Sequence, residues 1–581
     1  MRIQYIEMQT PAGIRSAYLA LPDGAYDENW KSSSITILRE DDSEQSVRRL
    51  IDEAGLQFIV DEQKSILGFP NPVDGLWHFD GGETLTDDEQ FVQAFSCAAL
   101  PGGAFSDGWR VMGDVHYLVG FGTGASLIHV LTACHPSNGL AAAICTVGGD
   151  LPEKALAHAT GSPVPACLLG SGPRAAAYYL RANEAKPLGN GRYACDHNAM
   201  QRVYLSDTAA LDRAAGRIVW DEFFHVIRRT NTSPWGDVDR RIIPEECGFE
   251  WHTLDTRLGD NNGLAHSWIE HCPDWVLANP DKKVPLVLFS HGMSDNPLKA
   301  ADMIKIHEVG QREGFVSVYT FSSNRYSWNL SCDPEKEDDV AYYVALIDYL
   351  KNKYPIDSER VYVSGFSNGA GMAMIFALSH PDLVAAGFPV DSTFPYAAMG
   401  HFRPAQQAPY ITPVLKPGQK APAFSFPRSD PEKSMMPLRA ALARQEDKRY
   451  TLPIMYFYGT RESEYPIRSG SNQELSYNFW KEFNGIDRAP TDDSLQTDAV
   501  GVPGQQVNEL HPDPAHPAHS YQENIFFTGE GKDYYHFMLM RGKAHEVHPA
   551  ERELGWAFVS RFRRLADGTL ADSRDSEVRG C

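Results

Sequence analysis

A serine hydroxyl attacks a carbonyl only when a base removes its proton and donors meet the charge that develops on the carbonyl oxygen. One stretch of this sequence answers that demand. Gly365-Phe366-Ser367-Asn368-Gly369 follows a short β-branched and aromatic run, Arg360 to Ser364, and opens an apolar helical pattern. Glycines on both sides permit a sharp strand-to-helix turn that exposes the hydroxyl at a helix amino terminus. The chemistry expected of such a turn is acyl transfer, with Ser367 as the nucleophile.

In a turn of this kind the acid and then the histidine follow the serine along the chain. The run from Pro453 to Tyr458 leads into Thr460-Arg461-Glu462-Ser463-Glu464, which makes Glu462 the expected acid and Glu464 its rival. A late strand from Tyr534 is followed by Arg541 to Pro549, where His545 is the expected base and His548 the alternative. Ser290-His291-Gly292-Met293 closes an earlier apolar run, and the amides of Met293 and Asn368 are expected to form the oxyanion hole. His291 reads as a structural histidine bordering the substrate rather than a proton carrier. Tyr326, Trp328, Phe394 and Tyr396 would line an acyl or aromatic pocket beside it.

The elements that must position these groups are legible as short apolar runs, Pro285–Ser290, Phe315–Thr320, Arg360–Ser364 and Pro453–Tyr458, bounded by turn residues. They read as buried parallel strands. Asp338 to Lys353 carries apolar residues at helical spacing behind an acidic first turn, which suits the positive end of a helix. Strand, helix, strand in this order predicts an α/β fold with mostly parallel sheets flanked by helices.

The pattern also repeats. Residues 115–136 lie over 360–381 without a gap at a constant offset of 245, with seven of 22 positions identical, among them Tyr117/Tyr362, Gly120/Gly365 and Gly124/Gly369. Trp220 and Trp556 begin a second matching stretch. We therefore expect two tandem copies, 1–235 and 240–570, with a lid-like insertion at about 401–447, an irregular surface loop at 487–522 and a tail at 571–581. The first copy has Gly122 at the serine position, and counting from matched landmarks places Pro173 and Ala209 at the acid and base positions. It is expected to be non-catalytic, buttressing its neighbour, shaping the substrate mouth or mediating self-association. A dinucleotide loop at Gly120-x-Gly122-x-x-Ala125 is disfavoured because no acidic ribose partner follows.

Asp338-Asp339-Val340, Tyr354-Pro355-Ile356-Asp357, Arg360 to Ala370, and Trp480 with Asn484-Gly485 resemble the polyhydroxybutyrate depolymerase-type and feruloyl esterase-type branch of the α/β-hydrolases, over about 245 to 565. The resemblance implies an eight-stranded sheet, a Ser-acid-His triad, no cofactor and hydrolysis of carboxylic esters, small or oligomeric. The acid in such proteins is usually an Asp after a Gly-Thr pair, whereas this chain offers Glu462. A serine peptidase or amidase would use the same triad, and a non-catalytic hydrolase-like scaffold is the rival outside enzymes.

Composition narrows the partners. With 53 basic against 76 acidic side chains the net charge is −23, so nucleic acid and anionic membrane are not expected to bind. No apolar run approaches the roughly 20 residues that span a bilayer, and the amino-terminal alternation around Pro11-Ala12 reads as a β-hairpin rather than a leader. Nine cysteines without CxxC spacing suit reduced thiols and a cytoplasmic setting. His511-Pro-Asp513-Pro-Ala-His516-Pro-Ala-His519 reads as a polar loop, and no metal is expected.

Overall fold

The alternating start of the chain folds as a hairpin, β1 (Arg2–Thr10) and β2 (Gly13–Leu21), turned at Pro11-Ala12. The computed structural model describes residues 1–24, 32–96, 111–137, 139–254, 266–330, 332, 336–392, 410–414, 450–463, 465–468, 471–487 and 504–577. Two units divide the chain: Met1–Ile243 with Gln406–Ser425, and Pro244–Ala405 with Phe426–Cys581.

The first unit continues through β3 (Ser32–Leu38), β4 (Ile66–Pro70), β5 (Val111–Phe121), β6 (Ala143–Val147), β7 (Ala166–Leu169), β8 (Lys186–Gly189), β9 (Arg192–Ala194) and β10 (Arg202–Ser206). A separate hairpin, β11 (Ile227–Thr230) and β12 (Asp237–Arg240), closes it. In the second unit β13 (Glu250–Leu254), β14 (His266–His271), β15 (Val284–Ser290), β16 (Val316–Thr320), β17 (Ile356–Phe366) and β18 (Ala386–Val390) come first. Next in the chain is β19 (Thr412–Pro413), which joins the first unit's sheet beside Met8 and Gln9. The second unit resumes with β20 (Ile454–Gly459), β21 (Gln506–Leu510), β22 (Tyr521–Phe526) and β23 (Tyr535–Met540), then the hairpin β24 (Phe562–Arg564) and β25 (Leu570–Asp572).

The sheet orders are β1-β2-β4-β3-β5-β6-β7-β10-β9-β8, with β19 outside β1, and β13-β14-β16-β15-β17-β18-β20-β23-β22-β21. Numbered within its own unit, each reads 1-2-4-3-5-6-7-10-9-8. Both are parallel from their third to their eighth place and antiparallel beyond. Parallel strands covered by helices on both faces must be apolar throughout; β15, β20 and β23 are buried at every residue. The helix Asp339–Lys353 starts where its acidic turn implied, with the Asp338 side chain accepting the Ala341 amide.

The stretch expected to be an irregular loop, 487–522, differs. Its residues 506–510 form β21, an antiparallel edge strand whose side chains are exposed or half-buried, so it carries none of the apolar periodicity that marks an inner strand. Most of 401–447 lies outside the described residues, and its described part, 410–414, contains β19. Residues 571–577 fold back: Leu570–Asp572 pairs with Phe562–Arg564, and a helical turn, Arg574–Glu577, follows. No helix among the described residues is long and apolar enough to cross a membrane.

One repeated contact explains a repeated residue. Tyr117 on β5 and Tyr362 on β17 are fully buried, and each phenol donates to the carbonyl that begins its unit's closing hairpin, Ile227 at 2.6 Å and Phe562 at 2.8 Å. A buried carbonyl that loses its donor is penalised by about 1–3 kcal/mol. We expect Tyr117→Phe and Tyr362→Phe each to destabilise its own unit by about 1 kcal/mol, read as earlier loss of amide protection in β11 or β24 by hydrogen exchange, with the other unit's hairpin unaffected.

Candidate active site

The turn after β17 is forced by sterics. A Cβ added at Gly365 would lie 2.5 Å from the Gly369 carbonyl carbon, and one at Gly369 would lie 2.2 Å from the Ser290 carbonyl oxygen. Between these glycines Ser367 adopts φ 55° and ψ −120°, a region that residues with a Cβ rarely occupy. Its amide donates to the Val390 carbonyl at 2.9 Å, tying the turn to the end of β18. The helix Asn368–Ser379 then runs from the serine.

His545 Nε2 lies 2.8 Å from Ser367 Oγ, and His545 Nδ1 lies 2.9 Å from Glu462 Oε1. The structure thus brings together the three side chains singled out from the sequence. The imidazole is 49% exposed whereas Glu462 is 8% exposed, so the ring is open to an incoming molecule while the carboxylate behind it is sheltered. Phe366 packs against the ring with centroids 4.7 Å apart. Glu464 lies outside the described residues. His548 is not at the serine; its Nε2 faces His519 and Asp513.

What fixes the His545 loop was not legible in the sequence. Lys543, wholly buried, pairs with Asp391 at 3.1 Å and Glu551 at 2.7 Å. Burial alone would lower the ammonium's pKa, but the two carboxylates hold it above its ordinary value. Asp391, directly after β18, also accepts the Glu546 amide at 3.0 Å, and Glu551 accepts the His548 amide at 3.1 Å. Backbone just after His545 is therefore fastened to buried carboxylates, and just before it the Lys543 side chain is tied to the same two. Asp391, Glu462 and His545 each bring one donor atom within 4.8 Å of the others.

The expected oxyanion donors, Met293 and Asn368, lie within two residues of a contact between Gly292 and Phe366. Asn368 begins the helix, so its amide has no intrahelical acceptor. Met293 follows Gly292, at which an added Cβ would meet the Phe366 ring at 2.9 Å, so the β15 loop lies directly against the turn. Two residues expected to touch substrate are instead scaffold. His291 is fully buried, its Nε2 accepting the Ser322 amide at 3.0 Å and its Nδ1 donating to the Gly292 carbonyl at 2.6 Å. Trp328 is 4% exposed; its indole donates to the His291 carbonyl at 2.9 Å and its amide to Asn368 Oδ1 at 2.7 Å. Both residues are turned inward because their polar atoms hold the loop and the helix start together. Tyr326 is half-buried, and its carbonyl accepts the Ser294 amide at 2.7 Å. Behind it Asp339 accepts the Asn329 amide and the Ser323 hydroxyl, with burial pushing its carboxyl up to about 7. Phe394 and Tyr396 lie outside the described residues.

The first unit repeats the turn without the hydroxyl. Gly122 has φ 54° and ψ −118° between β5 and the helix Thr123–Cys134. The Thr123 amide, matching that of Asn368, donates to Glu40 Oε1 at 3.0 Å, and the Thr123 hydroxyl does the same at 3.0 Å. A Cβ on Gly122 would lie 2.5 Å from that oxygen. A carboxylate of the chain itself occupies the place where a nucleophile's side chain would project.

Residues 277–398 match the family model described as Esterase PHB depolymerase. The second unit is thus similar in sequence to esterases, the match taking in β15 to β18 and Ser367. Feruloyl esterase B of Talaromyces funiculosus is 25% identical over 152 residues, 25% of this chain and 41% of that one. The bifunctional acetylxylan esterase/xylanase of Neocallimastix patriciarum is 36% identical over 95 residues, 16% of this chain and 14% of its own. Poly(3-hydroxyalkanoate) depolymerase C of Paucimonas lemoignei is 25% identical over 249 residues, 41% of this chain and 53% of its own. The chain therefore spans about two fifths of the first of these relatives and less than two thirds of each.

Strain at a nucleophile's backbone predicts a trade between chemistry and stability. Replacing Ser367 by glycine, the residue that the first unit has at Gly122, is expected to make the second unit about 1 kcal/mol more stable than Ser367→Ala. Denaturant unfolding of the two variants checks this, and equal midpoints would show that the turn stores no strain.

Proposed function

We propose that the protein is a carboxylic ester hydrolase that works through an acyl-enzyme on Ser367. The observation that carries this reading is the continuous hydrogen-bond line from Ser367 Oγ to His545 Nε2 and from His545 Nδ1 to Glu462 Oε1, at 2.8 and 2.9 Å, on a strand-helix turn. Ser367 Oγ attacks the ester carbonyl while His545 Nε2 takes its proton. Glu462 holds the ring with its proton on Nδ1 and stabilises the imidazolium. The oxyanion meets the Asn368 and Met293 amides. As the carbon–oxygen bond to the alcohol breaks, His545 returns the proton to the leaving oxygen. Water, deprotonated by the same nitrogen, then cleaves the acyl-serine and restores the hydroxyl.

The relatives are named for feruloyl, acetylxylan and poly(3-hydroxyalkanoate) esters, which favours esters over amides as the substrate class. Of the two described aromatics of the expected pocket, Tyr326 stays partly open. The first unit we read as a non-catalytic copy of the same fold; the shared strand order, the matching turn and the Glu40 carboxylate at its tip support this. A cytoplasmic setting accords with seven described cysteines that are all free thiols.

Hydrolysis of p-nitrophenyl acetate and methyl ferulate by the full chain tests the proposal. Ser367→Ala is expected to abolish turnover of whichever ester is cleaved, Glu462→Gln to lower kcat by roughly 10⁴-fold, and Glu40→Ala to leave kcat unchanged. Activity that survives in Ser367→Ala would assign the chemistry to another residue, and a loss in Glu40→Ala would make the first unit part of the reaction.

A further inference from the structure

Asp513, His516, His519 and His548 each bring one donor atom to within 4.8 Å of all the others. Asp513 Oδ2 lies 2.8 Å from His516 Nδ1 and 3.3 Å from His548 Nε2, and His519 Nδ1 lies 2.8 Å from that same His548 nitrogen. His519 and His548 are buried, and the His516 and Asp513 side chains are only 10% and 12% exposed. The first three residues belong to one loop, Asp513-Pro-Ala-His516-Pro-Ala-His519, that leads into β22. His548 comes from the turn between β23 and the helix Ala550–Val559, three residues beyond His545. The prolines between these residues read as a polar loop, and the sequence does not show the fourth member, which comes from 29 residues beyond His519.

We propose that these four residues form a zinc site. Three imidazoles and one carboxylate suit a tetrahedral, borderline-soft divalent ion, whereas calcium and magnesium take oxygen-rich shells. All four positions are filled by protein and the donors are largely sheltered, which marks a closed structural site and not one that binds or activates a substrate. The distances are those of side chains gathered around one point: His548 Nε2 faces both a second imidazole nitrogen and a carboxylate oxygen, and a single ring proton can serve only one of them. A cation at that point satisfies all four donors together. Ligation through Nε2 puts the His548 proton on Nδ1, so the Ala550 amide, which now donates to Nδ1 at 3.1 Å, turns aside when zinc binds. The ion would then fasten the loop before β22 to the turn that carries His545, a link added to the Lys543 ion pairs, which hold the His548 backbone through Glu551.

The test uses the full chain, stripped of metal with dipicolinate and titrated calorimetrically with zinc chloride alone. About one equivalent is expected to bind per chain, and thermal unfolding is expected to shift upward with zinc concentration. Cobalt(II) in place of zinc is expected to give the intense visible bands of a tetrahedral site. Asp513→Ala and His519→Ala should weaken binding by at least about 100-fold, beyond the 10–100-fold cost of losing an outer partner. Should either variant fail to fold, the cobalt spectrum of the parent still decides. Absence of stoichiometric binding, a weak six-coordinate cobalt spectrum, or unchanged zinc affinity in the folded variants would overturn the site and leave a hydrogen-bonded histidine cluster. The Ser367→Ala chain should bind zinc as the parent does, so the metal site stands or falls apart from the esterase reading.

Discussion

Steric exclusion at the turn after β17 sets the geometry of everything around Ser367. Backbone at Gly365 and Gly369 passes so close to its neighbours that no Cβ fits, and the residue between them is driven to a positive φ. That conformation lifts one side chain off the sheet edge at the start of a helix whose first amides have no intrahelical acceptor. The β15 loop packs against the same turn, since the Ser290 and His291 carbonyls crowd Gly369. The turn thereby delivers a hydroxyl and a helix-start amide to one place. Nothing about the loop after β23 creates that place; it only has to reach it.

Reaching it reproducibly is an electrostatic problem. The His545 imidazole is half exposed, so packing alone would hold it weakly, and the stiffness comes from backbone amides on Asp391 and Glu551 that Lys543 neutralises in the interior. Removing one member of such a buried set leaves an uncompensated charge, which explains why three ionisable groups are retained there without touching the serine. His291 and Trp328 do the corresponding work on the other side, with every polar edge spent on the loop and the helix start.

The parts legible in the sequence are those encoded locally. Glycine spacing announced the turn, because close backbone approach leaves no other residue type, and apolar runs announced β15, β17, β20 and β23, because a parallel strand covered on both faces has no polar side. The Tyr117/Tyr362 identity pointed to a shared tie whose partners, Ile227 and Phe562, only the structure reveals. Features formed by distant residues stayed hidden. β21 is an exposed edge with no periodicity to detect. Asp391 and Lys543 are 152 positions apart, Glu40 reaches Thr123 across 83, and the burial of His291 and Trp328 depends on how the loop after β16 folds beneath the turn. The histidine nearest the expected base in sequence, His548, belongs to another cluster altogether, which shows that proximity along a loop says little about where an imidazole points.

Every step proposed for this site starts from one activated hydroxyl, that of Ser367. Its most direct measurement is peptide mapping of the intact chain after reaction with a fluorophosphonate. A single phosphonylated peptide containing Ser367, formed in stoichiometric yield and lost when His545 is replaced by alanine, is the predicted result. A label on any other residue, or none on folded protein, would contradict it.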